Sequence, residues 1–442
     1  MVDLTWFTAR LTDVSVKGIA AKMATLIHTG EIPVGTHLPS VRELAEALGV
    51  SPATISAAWG QLKRQKVVTG KGRSGIRVCG NYLTPRPVRF EQIGNYGDAI
   101  RADLAMASPD PALLPDLQAA MLQGIQCPLL NSYQRDAISP ALLAAVKPRW
   151  PFQAEAWLAT DGGFDAMNGI VQTLFRPGEK VIIEDPTATR LLDMLDNVEA
   201  EIMPLACDEH GPLPGALAML LSKGATAMIY QPTTHSATGH SVSQARSEEL
   251  AKVLAGSSIL IVEDNGIGDL SAHPCFSLGH WFPERTLHVH SFSKAYGPDL
   301  RLAVLAGPLD LVKRIQSWRN FGAGWTSRIL QQAVAWMLQD DATQRHIQHA
   351  REVYRQRRRL LLNALAKRGL TLPDRDGLSL CLPVQSEQFA MITLAARGIA
   401  VLPGERCSPG NKQFIRVSTS MMTAEKVESI AEALMLAIGG SR

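Results

Sequence analysis

No stretch of the 442-residue chain approaches the ~18 to 20 uninterrupted apolar residues that a membrane helix needs. The opening "MVDLTWFTARL" carries an early Asp3 and lacks a basic stretch leading into an apolar core and a small-residue cleavage site. A cytoplasmic protein with no membrane partner is expected. The six cysteines (Cys79, Cys127, Cys207, Cys275, Cys381, Cys407) form no CxxC pair and no cluster with histidine at ligand spacing, so reduced thiols and no metal are expected. What remains is an ordinary globular composition, 46% hydrophobic and 19% charged, on a chain long enough for two or three domains.

The net charge of +3 hides an asymmetry. Residues 1 to 80 hold ten Lys and Arg against five Asp and Glu, whereas the remaining 362 hold 34 against 36, so an anionic partner is to be sought at the N-terminal end. There Ile19, Met23, Leu26 and Ile27 follow helical spacing up to Gly30. Ser40, with Glu43 at the capping-box position, opens a second helix, and Ser51 with Pro52 opens a third whose apolar stripe is Ile55, Trp59 and Leu62. Two short helices joined by "GVS" have helix-turn-helix spacing, and "VVTGKGRSGIRV" reads as two strands around a basic tip, a wing. If the third helix enters a major groove of double-stranded operator DNA, Ser51, Thr54 and Ser56 are the candidate base readers. Arg42, Lys63, Arg64, Lys71 and Arg73 would then engage phosphates, fixing register while carrying little sequence information.

The run "GTHLPSVRELAEALGVSPATISAAWGQLKRQKVVTGKGRSGIRV", residues 35 to 78, resembles the winged helix-turn-helix of GntR-type bacterial regulators. It departs at Pro52, where that family commonly has an arginine. Residues 81–98, rich in Pro and Gly without periodicity, read as a linker. Residues 99–442 follow as a second, larger domain.

Seven apolar runs in this domain read as strands: "AWLAT" (156 to 160), "KVIIE" (180 to 184), "AEIMPL" (200 to 205), "TAMIY" (226 to 230), "SILIVE" (258 to 263), "TLHVHS" (286 to 291) and "LAVLAG" (302 to 307). Each is unbroken rather than alternating, and helical segments such as 164 to 175 and 244 to 255 intervene. An α/β fold with a seven-stranded, mostly parallel sheet covered on both faces is predicted. Ligands of such sheets sit at the carboxyl ends of strands. Gly162 and Gly163 there open a helix able to hold a phosphate. Asp264 is a lone carboxylate, and Ser291, Ser293, Lys294 and Arg301 follow the sixth run. An anion site, a carboxylate and an amine together suit pyridoxal 5′-phosphate (PLP), with its phosphate, protonated ring nitrogen and aldehyde.

In order along the chain, "PDPALLP" (109 to 115), "TDGGFDAM", "EDP", "TG" (238 to 239), "VEDN", "SFSKAYGPDLRLA" and "FIRVS" resemble the fold-type I aminotransferases. Joined to the GntR-type head, the whole is similar to the MocR subfamily of regulators. The resemblance implies a Schiff-base role for Lys294, pairing of Asp264 with the pyridine nitrogen, phosphate contacts from Ser291, Ser293, Arg301, Gly162 and Gly163, and a ligand-carboxylate contact from Arg416. It also implies a homodimer with domains exchanged between subunits, and a smaller C-terminal α+β subdomain over about 326–442. Three positions depart from the enzymes' pattern. The aromatic that stacks on the cofactor ring is Ala188, the asparagine before P-T-G is Ser236 (with Ala237 for the proline), and the tyrosine two residues after Asp264 is Gly266. His235 and Tyr230 are the neighbours able to replace the lost contacts. Losing several aligning groups cripples turnover more than cofactor capture. The expected function is a PLP-responsive regulator, with PLP or a PLP–amine or amino-acid adduct as effector and vitamin B6 or amino-compound metabolism as its field. An active aminotransferase with a DNA-binding head, and a regulator whose body only dimerises, remain as alternatives.

Overall fold

The computed structural model describes residues 4–64, 67–70, 75–79, 86–93, 100–410 and 412–439. The backbone divides into two compact units, residues 1–86 and 87–442.

In the first unit, α1 (Leu4–Arg10), α2 (Val16–His28), α3 (Val41–Leu48) and α4 (Pro52–Arg64) precede two short strands, β1 (Val68–Thr69) and β2 (Arg77–Val78). The predicted capping box forms: Ser40 Oγ accepts the Glu43 N–H (3.2 Å) and Glu43 Oε2 accepts the Ser40 N–H (3.1 Å). Gly49 then ends α3 in the left-handed region at φ 67°, which only glycine adopts without cost. Ile19, Met23, Leu26, Leu44, Ile55, Trp59 and Leu62 are all buried in one core. Helix α1 was not expected from sequence, yet Phe7 and Leu11, one helical turn apart, enter that core too. β1 and β2 pair antiparallel, Val68 opposite Val78, as a wing requires. Lys71, Arg73 and the side chain of Arg64 lie outside the described residues.

The second unit opens with α5 (Val88–Glu91), a short helix inside the stretch expected to be linker. It continues through β3 (Ala102–Asp103), α6 (Leu117–Gly124), α7 (Pro140–Val146), β4 (Ala156–Thr160), α8 (Gly163–Leu174), β5 (Lys180–Asp185), α9 (Thr189–Asn197), β6 (Glu201–Asp208) and β7 (Gly211–Pro212). Then come α10 (Pro214–Ser222), β8 (Ala227–Tyr230), α11 (Gln244–Leu254), β9 (Leu260–Asn265), β10 (Thr286–Ser291), β11 (Ala303–Gly307), α12 (Leu309–Arg319), α13 (Arg328–Met337) and α14 (Asp341–Ala366). The chain closes with β12 (Ser379–Pro383), α15 (Glu387–Ala395), β13 (Ile399–Ala400), β14 (Leu402–Pro403), β15 (Phe414–Ser418) and α16 (Ala424–Ile438).

All seven predicted strands form, and β7 makes the sheet eight-stranded, in the order β4-β11-β10-β9-β8-β5-β6-β7. The run β10-β9-β8-β5-β6 is parallel, while β11 is antiparallel to both neighbours and β7 to β6. Alternate side chains of the same strands enter different cores. Val181, Ile229 and Val262 pack with α8, α9 and α12, whereas Ile182, Met228 and Ile261 pack with α10 and α11. Burial on both faces explains the unbroken apolar runs. A separate antiparallel sheet, β12-β15-β14, packs with α15, α16 and the last turns of α14. The boundary near 326 needs correction. α13 packs into the core around β4 and β11, and the C-terminal core begins within α14 and takes in Leu104. Among the described residues no helix is long and apolar enough to cross a membrane.

Candidate functional site

Of the polar residues expected at strand ends, Gly162, Gly163, Ser291 and Arg301 come together. Gly162, at φ 103°, and Gly163 open α8 directly after β4. A Cβ on Gly162 would lie 2.7 Å from Arg301 Nη2, and one on Gly163 would lie 3.3 Å from Ser291 Cβ. The glycines, Ser291 and Arg301 therefore form one cradle at a helix N-terminus, where backbone N–H groups favour an anion. Arg301 holds a left-handed backbone (φ 43°) and donates to the Asp161 carbonyl at 2.9 Å. The turn beneath is braced by Arg319, which pairs with Asp161 (2.9 Å) and Asp165 (3.2 Å). Ser293 contributes its backbone N–H to Ser291 Oγ at 3.4 Å.

Lys294 and Arg416 meet along one segment of the chain: Lys294 Nζ donates to the Ala107 carbonyl and Arg416 Nη2 to the Ala105 carbonyl (2.7 Å). Burial, and after it the positive charge of Arg416, lower the Lys294 pKa to about 8. The Nε of Arg416 is buried without a hydrogen-bond partner.

Asp264 is buried at the end of β9, where Gln231 Nε2 donates to its Oδ2 (3.2 Å). Burial, supplemented by the charge of Glu184, raises its pKa to about 6. Its neighbour Glu263, on the opposite side of the strand, is fully engaged: Tyr230 Oη (2.6 Å), Ser277 Oγ (2.7 Å) and the Leu278 N–H (2.7 Å) donate to it, and His288 Nδ1 lies 2.7 Å away. Burial alone would raise the Glu263 pKa, but these hydrogen bonds, that of His288 foremost, hold it below its ordinary value. The raised pKa of Asp264 means that the folded state pays for its negative charge. That penalty is absent below pH 3.8 and fully developed above about pH 6. A shift of this size corresponds to about 3 kcal/mol. Asp264→Asn is therefore expected to raise the melting temperature of the cofactor-free protein by a few degrees at pH 7.5, with no gain at pH 4, in a fluorimetric melting series.

The expected substitutes for lost ring contacts do not serve. Tyr230 spends its hydroxyl on Glu263. His235 is turned into a buried cluster in which its Nε2 lies 3.7 Å from Glu184 and its ring stacks on His240 at 4.5 Å. Ser236 presents its backbone, donating N–H to Gln231 Oε1 (2.7 Å). Gln231 thus joins the Ser236 loop to Asp264, a role its place in the sequence did not suggest. Ala188 stands at the N-cap of α9, and a Cβ on Gly266 would lie 3.4 Å from Asp264 Oδ1. The scattered cysteines Cys207 and Cys275 each come within 4.8 Å of a glutamate and a histidine (Glu184 and His240; Glu263 and His288), a proximity invisible in sequence spacing.

On the first unit, Arg42 and Ser56 are exposed on α3 and α4, and Lys63 is half-buried near the end of α4. Ser51 forms the predicted cap. Its Oγ accepts the Thr54 N–H (3.1 Å) and lies 2.9 Å from Thr54 Oγ1, so it caps α4 and occupies the Thr54 hydroxyl. Ser51 and Ser56 are both exposed, and Thr54 is half-buried.

These two units define a class: a winged helix-turn-helix joined to an aminotransferase-type body, the MocR-type architecture. Residues 105–434 match the family of class I and II aminotransferases, and residues 16–78 match the gntR family of bacterial regulatory proteins. The chain belongs to the aminotransferase class I and II family and carries a GntR-type DNA-binding domain. It is 30% identical over 419 residues to the vitamin B6 salvage pathway transcriptional repressor PtsJ of Salmonella typhimurium, covering 92% of this chain and 94% of that one. It is 24% identical over 396 residues to the pyridoxine biosynthesis transcriptional regulator PdxR of Corynebacterium glutamicum, covering 87% and 86%. The fold is shared with the α-aminoadipate aminotransferase LysN of Thermus thermophilus, at TM-score 0.69 and 19% identity over 80% of this chain and 94% of that one. The cofactor that goes with this body is PLP, and the residues present fit it: a cradle that only glycine leaves open, a partly buried amine, and a carboxylate with no cation paired to it among the described residues.

Proposed function

We propose that this chain is a PLP-responsive transcriptional regulator. Its head would bind operator DNA and its body would hold PLP, or a PLP adduct with an amine or amino acid, without efficient turnover. The observation that carries the reading is the survival of the Gly162–Ser291–Arg301 cradle, Lys294 and Asp264 beside Ala188, Ser236 and Gly266. The groups that capture are kept, and those that align the ring for transamination are replaced. The names of PtsJ and PdxR support a vitamin B6 context for the regulated genes.

When bound, PLP supplies an electrophilic aldehyde and a ring that withdraws electrons. Lys294 would offer its amine to the aldehyde, Asp264 would keep the ring nitrogen protonated, the cradle would take the phosphate with Ser293 beside it, and Arg416 would receive an adduct's carboxylate. The protein is expected to be a cytoplasmic homodimer with exchanged domains, so that two heads address paired half-sites. Regulation requires that the ligand bind two arrangements of those heads unequally.

Purified protein should develop a visible absorbance band with PLP that Lys294→Ala lacks and that borohydride bleaches while leaving the cofactor permanently attached. DNA selected from a random-sequence pool should bind with an affinity that PLP changes. Absence of the band, with DNA affinity indifferent to PLP, would leave the body a dimerisation scaffold. Repeated bleaching by an amino-acid donor with keto-acid release would instead make it an enzyme.

A further inference from the structure

Arg190, the second residue of α9, attracts no notice in the sequence, yet it stands between two aromatic rings. Its guanidinium carbon lies 4.5 Å from the ring centroid of Phe164 and 4.5 Å from that of Phe90. Phe164 follows Gly163 in the first turn of α8, beside the cradle. Phe90 belongs to α5, the helix that opens the second unit. Asp193, one turn beyond Arg190, fixes α5 by accepting the backbone N–H groups of Arg89 (3.2 Å) and Phe90 (3.0 Å) and the Arg89 side chain (3.1 Å), while Asp196 takes the same guanidinium at 2.6 Å. Arg190 itself makes no ion pair or hydrogen bond to the described residues, in contrast to Arg319 and Arg89 nearby. Burial first, and then the charge of Arg301, disfavour its protonated form, against a smaller favourable pull from Asp193. Two guanidinium groups near one helix N-terminus, with no carboxylate at ion-pair distance from Arg190 among the described residues and Asp193 already shared with Arg89, lower their mutual repulsion by taking up an anion.

We propose that Arg190 is a further phosphate-binding residue of the PLP site, and that its stacking between Phe164 and Phe90 ties phosphate occupancy to the seating of α5, the first element after the DNA-binding unit. The phosphate contact stands on the geometry of the cradle, and its use in regulation rests on the function proposed above. A bound phosphate fixes the guanidinium and removes its repulsion from Arg301, so Phe90 stacks on a held cation. Without the anion that partner is looser, and α5 opens more often.

Two variants test this in the full-length protein. Arg190→Ala should weaken PLP binding roughly 10- to 100-fold, the worth of a charge-assisted contact, and leave binding of pyridoxal, which has no phosphate, within about twofold. In wild type, PLP should slow amide exchange at Arg89 and Phe90 roughly 3- to 30-fold, the range of a cation–π contact. Arg190→Lys keeps the charge but not the planar stack, so it should retain much of the PLP affinity and lose that protection. Equal weakening of PLP and pyridoxal by Arg190→Ala, or no weakening of either, overturns the phosphate contact. Wild-type exchange indifferent to PLP, or protection preserved in Arg190→Lys, overturns the coupling. Protection of α5 with no response of DNA affinity to PLP would sink the regulator reading while leaving this inference intact.

Discussion

Covalent capture of PLP should accelerate about tenfold per pH unit up to about pH 8 and then level off. In the function proposed above, the group that reacts would be the neutral amine of Lys294. An ordinary lysine would keep that rate climbing until about pH 10.5, because the ammonium form dominates throughout the neutral range. Here burial removes the hydration that stabilises the ammonium, and Arg416 adds repulsion, so the proton leaves earlier. The same displacement makes the ammonium a burden on the folded state, one that is full below about pH 8 and is relieved progressively up to about pH 10.5. Below about pH 6 a second effect enters. Asp264 becomes protonated and can no longer balance a cationic ring nitrogen, so affinity should fall there as well. Stopped-flow absorbance across pH 5.5 to 10 would resolve both breaks. A rate still rising at pH 9.5 would mean that Lys294 is solvated and unremarkable. Arg416→Ala should move the upper break toward higher pH.

Trp59→Ala should abolish operator binding, by at least about 100-fold, while leaving PLP capture unchanged. Trp59 is 1% exposed and packs in the one core of the first unit, among Phe7, Ile19, Met23, Leu44, Ile55 and Leu62. Removing so large a buried ring costs about 3 to 5 kcal/mol, and a unit of this size seldom has more than that in total. The chain's division into two units confines the damage: Lys294, Asp264 and the cradle all lie in the second. Gel shifts against the selected DNA, beside the visible PLP band of the same preparation, give both readings at once. Retained DNA binding would show that the helix-turn-helix does not depend on this core.

Much of this was legible in the sequence because local chemistry and global fold agree. The capping box at Ser40 and Glu43, the Gly49 stop and the unbroken strands each state their conformation within a few residues. Lys294, Asp264 and Arg301 were legible for another reason: strand ends are where an α/β sheet presents polar groups. What escaped depends on contacts distant in sequence. Arg190 reads as one polar residue on an amphipathic helix until Phe90, a hundred positions earlier, is folded against it. Gln231 looks like a loop residue until Asp264 and Ser236 arrive on either side. Ser51 was a mixed case. Its cap was legible from the local sequence, whereas its bond to the Thr54 hydroxyl was not. α5 was hidden by the prolines around it, since its stability comes from Asp193 rather than from its own four residues.

The two carboxylates at the end of β9 separate duties that most binding sites mix. Glu263 has every oxygen answered and serves as a rivet through Tyr230, Ser277, Leu278 and His288, so its replacement would be felt as misfolding. Asp264, next to it, accepts one hydrogen bond from Gln231 and, in the function proposed above, would serve as the receptor. Affinity for the ring can therefore drift over generations at one position without loosening the frame that holds it. A lineage could retune the concentration at which it answers to its ligand and keep the same architecture.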